Sequence, residues 1–342
     1  MRLQIKSTWR SAITFALLAI GIAILLYELE QSVPVLLARR GTDYTLYVQW
    51  GSEYSPLEHS GASVPNYYPL PTTLWVFLPL SLLPNWFTLV WTFVPFLFLL
   101  WLFRKSGIIL WLSYPMLIQG SVGQMDGWLL LPLYWLFTNR PRLAGIGAAL
   151  LLFKPQLAFL TILYALLAWL IRRDWHNFGA FIITLAILYL PAFVVNPLWP
   201  LIMLERMKIR ASEPLLETRG ASLWAWIWHG GWTLWLLPIV ALIAAALVIY
   251  VFMIRRRQIQ AVHLLGLMVT PVLYSSNFVT IIPMLKTTRQ IATLTTISWV
   301  GVVIDILAGG WGGAYVVIPL TALWLLAANA SPHPSPHHKL RA

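Results

Sequence analysis

The chain has 342 residues, of which 59% are hydrophobic and only 10% are charged, and its formal net charge is +12. Soluble domains contain about 45–50% apolar and about 25% charged residues, so this composition excludes a soluble domain of useful size. The lack of cysteine excludes a disulfide framework, a thiolate metal site and a cysteine nucleophile. The composition predicts a multi-pass α-helical membrane protein.

The first hydrophobic run extends from Ala12 to Tyr27 and follows three basic residues. It ends at two glutamates without a small-residue cleavage site, so we expect a retained first helix rather than a cleaved signal peptide. A polar loop over residues 28–66 comes next and forms the first of two sizeable loops.

Ten further hydrophobic runs lie near residues 69–83, 86–103, 107–119, 128–138, 142–171, 178–196, 233–254, 260–285, 291–307 and 313–328. With the first helix they predict an all-α bundle of about 10–11 transmembrane helices, several short or broken, in one domain over residues 1–330. A second loop covers residues 197–222. The Pro- and His-rich tail, residues 331–342, is expected to be disordered and cytoplasmic.

Three of these runs do not fit one straight crossing. Runs 107–119 and 128–138 are roughly 16–20 Å long as helices, short of the roughly 30 Å hydrocarbon layer. Run 142–171 carries Lys154-Pro155 at its centre, where proline breaks the helix. Non-helical backbone at membrane depth is tolerated only beside protein or water, so we expect a polar cavity inside the bundle.

Basic residues cluster at the ends of the runs, at Arg104-Lys105, Arg140 and Arg142, Arg172-Arg173 and Arg255-Arg256-Arg257. This pattern is typical of cytoplasmic membrane loops rather than of a nucleic-acid surface, so no nucleic-acid partner is expected. It places both sizeable loops on the extracytoplasmic side. One of the runs 69–83, 86–103 and 107–119 must then fail to cross completely, because otherwise Arg104-Lys105 would lie outside.

The first loop holds a carboxylate, Asp43, among aromatic residues and beside two arginines. Such a group is suited to hold a sugar and to take a proton from its hydroxyl. Alternatively, Asp43 caps a short helix or pairs with Arg39 or Arg40. The tyrosines of this loop that we consider as sugar contacts are Tyr44, Tyr47, Tyr67 and Tyr68.

Lys154 lies within a long apolar run, where an ammonium is costly unless it meets an anion or water. A functional role is one interpretation, and snorkelling or pairing with an internal carboxylate such as Asp126 is the other. Gln124 and Asp126 lie between two short runs and could line the same cavity. Asp305 lies so close to the end of its run that an interfacial position is favoured over a buried one.

The second loop contributes three further cations, Arg206, Lys208 and Arg210. They could grip a phosphate through charge-assisted hydrogen bonds. Equally, the residues from Leu201 to Ile209 could form an amphipathic helix whose cations face lipid head groups. No metal site and no cofactor are predicted, and a requirement for a divalent metal stays open.

Together these motifs resemble those of the polytopic glycosyltransferases of the GT-C superfamily, in particular family 87, the polyprenyl-phosphate-mannose-dependent mannosyltransferases. The order and spacing agree over residues 40–285. The matching segments are Thr42-Asp43-Tyr44, Tyr67-Tyr68-Pro69-Leu70, Gly123-Gln124 and Phe153-Lys154-Pro155-Gln156. Two segments depart from the family pattern, Gly220-Ala221-Ser222-Leu223 and residues 270–277.

The resemblance implies a GT-C type bundle in the cell membrane that transfers a sugar, expected to be mannose, from a polyprenyl phosphate to a lipid or glycan acceptor. The active site would lie on the extracytoplasmic face, and the transfer would invert the anomeric carbon. Asp43 would be the general base. Lys154, Arg206, Lys208 and Arg210 would bind the donor phosphate, and the sugar or acceptor would contact Tyr44, Tyr47, Tyr67, Tyr68, Gln124, Asp126 and Asn277.

Two other functions stay open at this point. A transporter or flippase of lipid-linked sugars would use the same broken helices and buried cation for alternating access. It gives no reason, however, for a carboxylate in an aromatic loop directly after the first helix. An inactive accessory subunit of a glycan-assembly system would fit the two departures from the family pattern.

Overall fold

A computed structural model describes residues 42–52, 70–201, 203–204, 221–222, 258–270, 273–308 and 313–328. Within these ranges the chain forms thirteen α-helices and no strand, with 3-10 helices between several of them. The prediction of an all-α fold is therefore confirmed for this part of the chain.

The helices, in chain order, are α1 (Thr42–Ser52), α2 (Leu70–Thr72), α3 (Leu78–Ser81), α4 (Phe87–Phe103), α5 (Gly107–Trp111), α6 (Tyr114–Val122), α7 (Leu130–Phe137), α8 (Leu143–Leu150), α9 (Phe159–Arg172), α10 (Trp175–Val195), α11 (Gln258–Val269), α12 (Thr288–Leu307) and α13 (Val317–Ala328). A π-helical turn, Thr73–Phe77, joins α2 to α3. The 3-10 helices are Arg104–Ser106, Met125–Leu129, Leu151–Phe153, Pro155–Leu157, Ser275–Met284 and Gly313–Val316.

Three stretches are long and apolar enough to cross a membrane: Phe87–Trp111, Trp175–Val195 and Thr288–Leu307. A stripe of large apolar side chains on α4 faces away from the protein core. Its members, Leu89, Phe93, Leu97 and Trp101, are 48%, 57%, 58% and 62% exposed. Such a stripe suits hydrocarbon rather than water. These features indicate a membrane protein.

The chain reverses direction after α4, at the 3-10 turn Arg104–Ser106. Gly107 packs so closely on α4 that a Cβ there would lie 2.5 Å from the carbonyl oxygen of Leu99. Further along, the Trp111 indole donates a hydrogen bond of 3.0 Å to the carbonyl oxygen of Phe96. The stretch Phe87–Trp111 is therefore a helix followed by the start of its antiparallel return.

The segment 70–81 is short as a helix. Its residues in α2, the π-turn and α3 span about 18 Å at the helical rise, well short of the roughly 30 Å layer. The Thr72 hydroxyl donates to the carbonyl oxygen of Phe153 at 3.2 Å, next to Lys154. The Trp75 indole donates to the carbonyl oxygen of Leu188 at 2.9 Å, near the end of α10. The segment thus packs at one end of the bundle.

Two apolar cores hold the bundle together. The main core is built from side chains of α4 to α13. The smaller core is aromatic and fixes α1 onto the π-turn, with the rings of Tyr47 and Phe77 stacked at 4.7 Å. Gly51 permits this approach, because a Cβ there would lie 2.0 Å from the carbonyl oxygen of Phe77. The position of α1, which carries Asp43, is therefore set by buried aromatic contacts.

The basic turns lie together at one end of the bundle. The Trp101 ring of α4 lies 5.9 Å from the Tyr134 ring near the end of α7. The Trp169 indole near the end of α9 donates to Asn139 Oδ1 at 3.5 Å. We call this the basic end, and it includes the turns at residues 104–106, 138–142 and 172–174.

Candidate functional site

A buried ion pair between Asp126 and Lys154 lies at the centre of the candidate site. Asp126 is fully buried and Lys154 is 5% exposed. It is the one ion pair within the residues that the structure describes. Of the alternatives that the sequence left open for Lys154, pairing with Asp126 is the arrangement observed, and the ammonium does not snorkel out of the bundle.

The proline break predicted after Lys154 positions the ammonium. The chain passes from the 3-10 turn Leu151–Phe153 into the turn Pro155–Leu157, and Lys154 between them has non-helical dihedral angles of φ −137° and ψ 70°. The run 142–171 is thus two helices, α8 and α9, with a corner between them. Proline removes a helical hydrogen bond and disfavours the α conformation of the residue before it, which is consistent with this corner, although Pro95 and Pro191 lie within α4 and α10 without ending them.

Gly123 positions Asp126 and Gln124 in a comparable way. It ends α6 in the left-handed conformation, with φ 69° and ψ 35°, and its N–H donates to the carbonyl oxygen of Gln119 at 3.1 Å. Glycine adopts this conformation without steric cost. The chain then turns into the 3-10 helix Met125–Leu129, which carries Asp126 at its start.

Asn277 completes the hydrogen bonding of the Asp126 carboxylate. Its Nδ2 donates to Asp126 Oδ2, while Lys154 Nζ donates to Oδ1. The amide orientation of Asn277 is fixed, because its Oδ1 accepts a 2.7 Å hydrogen bond from the Tyr274 N–H. A buried carboxylate needs both a counter-ion and hydrogen-bond donors, and Asp126 has both.

Gln124 links Asp43 to this pair. Its Oε1 accepts a hydrogen bond of 2.8 Å from the Ser276 hydroxyl, which leaves the side-chain NH₂ to donate to the Asp43 carboxylate. Asp43 lies half-buried in the first turn of α1 and interacts electrostatically with both Lys154 and Asp126. Four segments that are distant in sequence thus meet at a single polar cluster.

The protonation of Asp43 reflects its surroundings. Burial raises the pKa of the Asp43 carboxyl above its ordinary value of 3.8, while the Lys154 ammonium and the Gln124 hydrogen bond oppose the rise. Asp43 also lies in the first turn of α1, where an acid interacts favourably with the helix dipole. A partly buried carboxylate with a raised pKa beside an ammonium suits general acid–base chemistry.

The polar cluster lies where the two apolar cores meet. Met125 packs in the aromatic core and Leu129 in the main core, on either side of Asp126. Phe153 and Leu157 flank Lys154 in the same way. The charges are therefore surrounded by apolar side chains, which strengthens their mutual attraction. The polar groups of this cluster were expected to line a cavity. They are hydrogen-bonded to one another.

Tyr44 and Tyr47 occupy a different environment from the one expected for sugar contacts. Both are 1% exposed, and their rings pack against Trp91 at 6.0 Å and 6.3 Å between centroids. Because protein covers these rings, the structure assigns them to the support of α1 rather than to an open binding surface. Gln124, Asp126 and Asn277 do lie together. Asn277 donates to Asp126, which also accepts from Lys154, and Gln124 accepts from Ser276.

Several predicted residues lie outside the described part of the chain. They are Arg39, Arg40, Tyr67, Tyr68, Arg206, Lys208 and Arg210.

The two segments that depart from the family pattern meet beside the polar cluster. The Ala221 N–H donates to the carbonyl oxygen of Leu273 at 2.7 Å, one residue before Tyr274.

Sequence reasoning did not single out Ser276, which orients Gln124. Ser276 lies between two other polar residues in an otherwise apolar run, and this pattern could have identified it as a site residue.

The expectation that Asp305 is interfacial is wrong. Its side chain is 9% exposed, and it accepts a hydrogen bond from the Tyr315 hydroxyl. The return of the chain through Gly313–Val316 covers the end of α12, which is why closeness to the helix end did not mean exposure.

In the part of the chain described, no three His, Asp or Glu side chains form a metal-binding group.

Comparison of the chain with protein-family models, with curated proteins and with solved structures returned no match. The function is therefore argued from the residues of the polar cluster and their geometry.

Proposed function

We propose that the chain is a membrane glycosyltransferase that moves a sugar from a polyprenyl-phosphate donor to a lipid or glycan acceptor on the extracytoplasmic side. One observation carries this proposal. Asp43, a half-buried carboxylate outside the long apolar helices, shares a polar cluster with the buried cation Lys154. A base and a cation held together are what transfer from a phosphate leaving group requires.

In the proposed reaction Asp43 takes the proton of the acceptor hydroxyl. The acceptor oxygen forms a bond to the anomeric carbon of the sugar while the bond from that carbon to the phosphate oxygen breaks. The polyprenyl phosphate leaves with the bonding electron pair, and attack from the opposite face inverts the configuration. The raised pKa of Asp43 brings its basicity closer to that needed for proton abstraction near neutral pH.

Lys154 would stabilise the negative charge that develops on the departing phosphate. An ammonium has three N–H donors, so it can serve Asp126 and a phosphate oxygen together. Asp126 keeps the cation in a fixed position within the bundle, since its own carboxylate is anchored by Asn277. Such fixed donors need no reorganisation during the reaction, which is the main advantage of electrostatic catalysis.

The lipid part of the donor explains why the chemistry would be carried out by a membrane protein. A polyprenyl chain stays within hydrocarbon, and the apolar exterior of α4 shows that the bundle presents suitable surface. We expect mannose as the sugar, and the cell membrane as the location.

The test is transfer of radiolabelled mannose from polyprenyl-phosphate-mannose to a panel of acceptors in membranes that contain the wild type, Asp43→Asn or Asp174→Asn. Asp174 is the matched control, because it caps α10 at the basic end and asparagine caps equally well. We expect transfer by the wild type and by Asp174→Asn, and at least a hundredfold loss (about two orders of magnitude) for Asp43→Asn.

Two results would contradict the proposal. Equal transfer by Asp43→Asn and the wild type would remove Asp43 from the chemistry. If no variant transfers sugar but the wild type moves a lipid-linked sugar across vesicle membranes, the chain is a transporter. Immunoblots of the same membranes establish that all three proteins are present in equal amounts.

A further inference from the structure

The turns at the basic end have unusual backbone conformations. Within the described residues, four that are not glycine have positive φ: Arg104 at 52°, Asn139 at 47°, Arg142 at 63° and Arg173 at 56°. All four lie in turns of the basic end, and three of them are arginines. Glycine adopts positive φ readily and asparagine moderately well, whereas a long side chain with a Cβ is strained there.

Arg104 lies outside even the left-handed helical region. It ends α4 with φ 52° and ψ −132°, a region that is almost restricted to glycine. A glycine would be the favoured residue at this helix end. The sequence thus has an arginine at a backbone conformation that favours glycine. This indicates that the guanidinium charge has a function at that position.

A second segment adds two cations to the same place. The Ser106 and Thr288 hydroxyls are hydrogen-bonded at 2.7 Å, although 182 residues separate them. This contact brings Arg104 and Lys105 next to the start of α12, which is flanked by Lys286 and Arg289. We call these four exposed residues the basic cluster.

The basic cluster has no carboxylate partner among the described residues. Asp43, Asp126 and Asp305 are elsewhere, and the Asp174 carboxylate accepts hydrogen bonds from the Asn177 N–H at 3.2 Å and from its Nδ2 at 2.7 Å. The N-terminus of α12 adds partial positive charge. The cluster therefore presents four exposed cations that no carboxylate of the described residues pairs with, and it is suited to bind an anion.

The surface next to the cluster identifies the kind of anion. The exposed apolar stripe of α4 ends at Trp101, one turn before Arg104. Tryptophan at the end of an apolar stripe is typical of the boundary between hydrocarbon and head groups. A ligand with acyl chains and a phosphate would contact the stripe and the cations together, which a soluble anion cannot do.

We propose that the basic cluster and the adjoining stripe of α4 bind the head group and acyl chains of an anionic phospholipid. The phosphate accepts charge-assisted hydrogen bonds from Arg104 and Arg289, and the head group interacts with Lys105 and Lys286. This site lies at the end of α4 opposite to the polar cluster and does not depend on the proposed transfer reaction.

The test compares melting temperatures of the purified full chain in phosphatidylcholine nanodiscs with and without phosphatidylglycerol. We expect phosphatidylglycerol to raise the Tm of the wild type. Arg104→Gly should raise the Tm in pure phosphatidylcholine by about 2 °C, because it relieves strain, yet lose about half of the increment from phosphatidylglycerol. Asn139→Gly, the matched control, removes a side chain at positive φ, together with its 3.5 Å hydrogen bond from Trp169, without a change of charge. It should keep the full increment from phosphatidylglycerol.

A double variant without strain relief checks the charge separately. Lys286→Gln with Arg289→Gln should also lower the phosphatidylglycerol increment while leaving the Tm in phosphatidylcholine nearly unchanged. The proposal is overturned if Arg104→Gly keeps the full increment, or if the wild type shows none. It is equally overturned if inorganic phosphate or a soluble oligonucleotide produces the same increment, because the ligand would then not be a lipid.

Discussion

Removing the charge of Asp126 should destabilise the protein strongly. Asp126→Asn keeps the size of the side chain but leaves the Lys154 ammonium, which is only 5% exposed, without its carboxylate. Lys154→Met conversely leaves the fully buried Asp126 carboxylate without a counter-ion. Breaking a buried pair by removing one partner typically costs about 3–5 kcal/mol, because the remaining charge stays desolvated.

The double variant, Asp126→Asn with Lys154→Met, should be more stable than either single variant. Neither position of the pair then carries a charge, so the desolvation penalty of the pair disappears together with its attraction. From these values we expect each single variant to lower the Tm by roughly 10 °C and the double variant by clearly less. The coupling free energy between the two sites should be at least about 2 kcal/mol.

Thermal unfolding of the four purified proteins in one detergent, followed by intrinsic tryptophan fluorescence, measures this cycle. Additive effects of the two substitutions would refute the reasoning, because they would show that the charges do not stabilise one another. A small effect of Asp126→Asn alone would show that Lys154 reaches water or another anion.

Two further outcomes are expected. Since the proposed base must be ionised and burial raises the pKa of Asp43, kcat/KM should fall on the acidic side at a pH above the ordinary value of 3.8. Gln124→Met should move that acidic limb to still higher pH, because it removes a hydrogen bond that favours the charged form; an unchanged pH profile would show that Asp43 is not the titrating group. Gly145→Ala should lower the Tm strongly, since its Cβ would lie 2.1 Å from the carbonyl oxygen of Asn177. Gly179→Ala is the control, because its Cβ would meet nothing within 4 Å. It should raise the Tm slightly by reducing the entropy of the unfolded chain. Equal effects on the Tm at both glycines would contradict the packing of α8 on α10.

Much of the local structure could be predicted from the sequence because it depends on local rules. The helix break at Lys154-Pro155 was predicted and is observed, and Gly123 ends a helix in the left-handed conformation. The composition predicted a membrane protein, and the apolar exterior of α4 agrees with it. The position of Arg104-Lys105 predicted that one of three early runs would not cross completely, and that prediction stays open.

Contacts between distant segments could not be predicted in the same way. Ser276 and Gln124 are separated by 152 residues, and no periodicity relates them. The sequence suggested Asp126 as one partner for Lys154, but only packing could decide between that pair and snorkelling. Tyr44 and Tyr47 show the reverse error, because aromatic residues near a carboxylate fit a sugar site and a buried core equally well until the fold is known.

The 3-10 helix Ser275–Met284 has a mechanical consequence for the site at its start. Its ten residues rise about 2.0 Å each, whereas an α-helix rises about 1.5 Å, so conversion to α-helix would shorten the segment by about 5 Å. Long 3-10 stretches are uncommon because their hydrogen bonds are less favourable. If its far end is held, such a contraction withdraws Ser276 and Asn277 together, and both Gln124 and Asp126 lose a hydrogen-bond donor in one movement. The hydrogen bonds to Gln124 and to Asp126 thus both depend on the length of one segment.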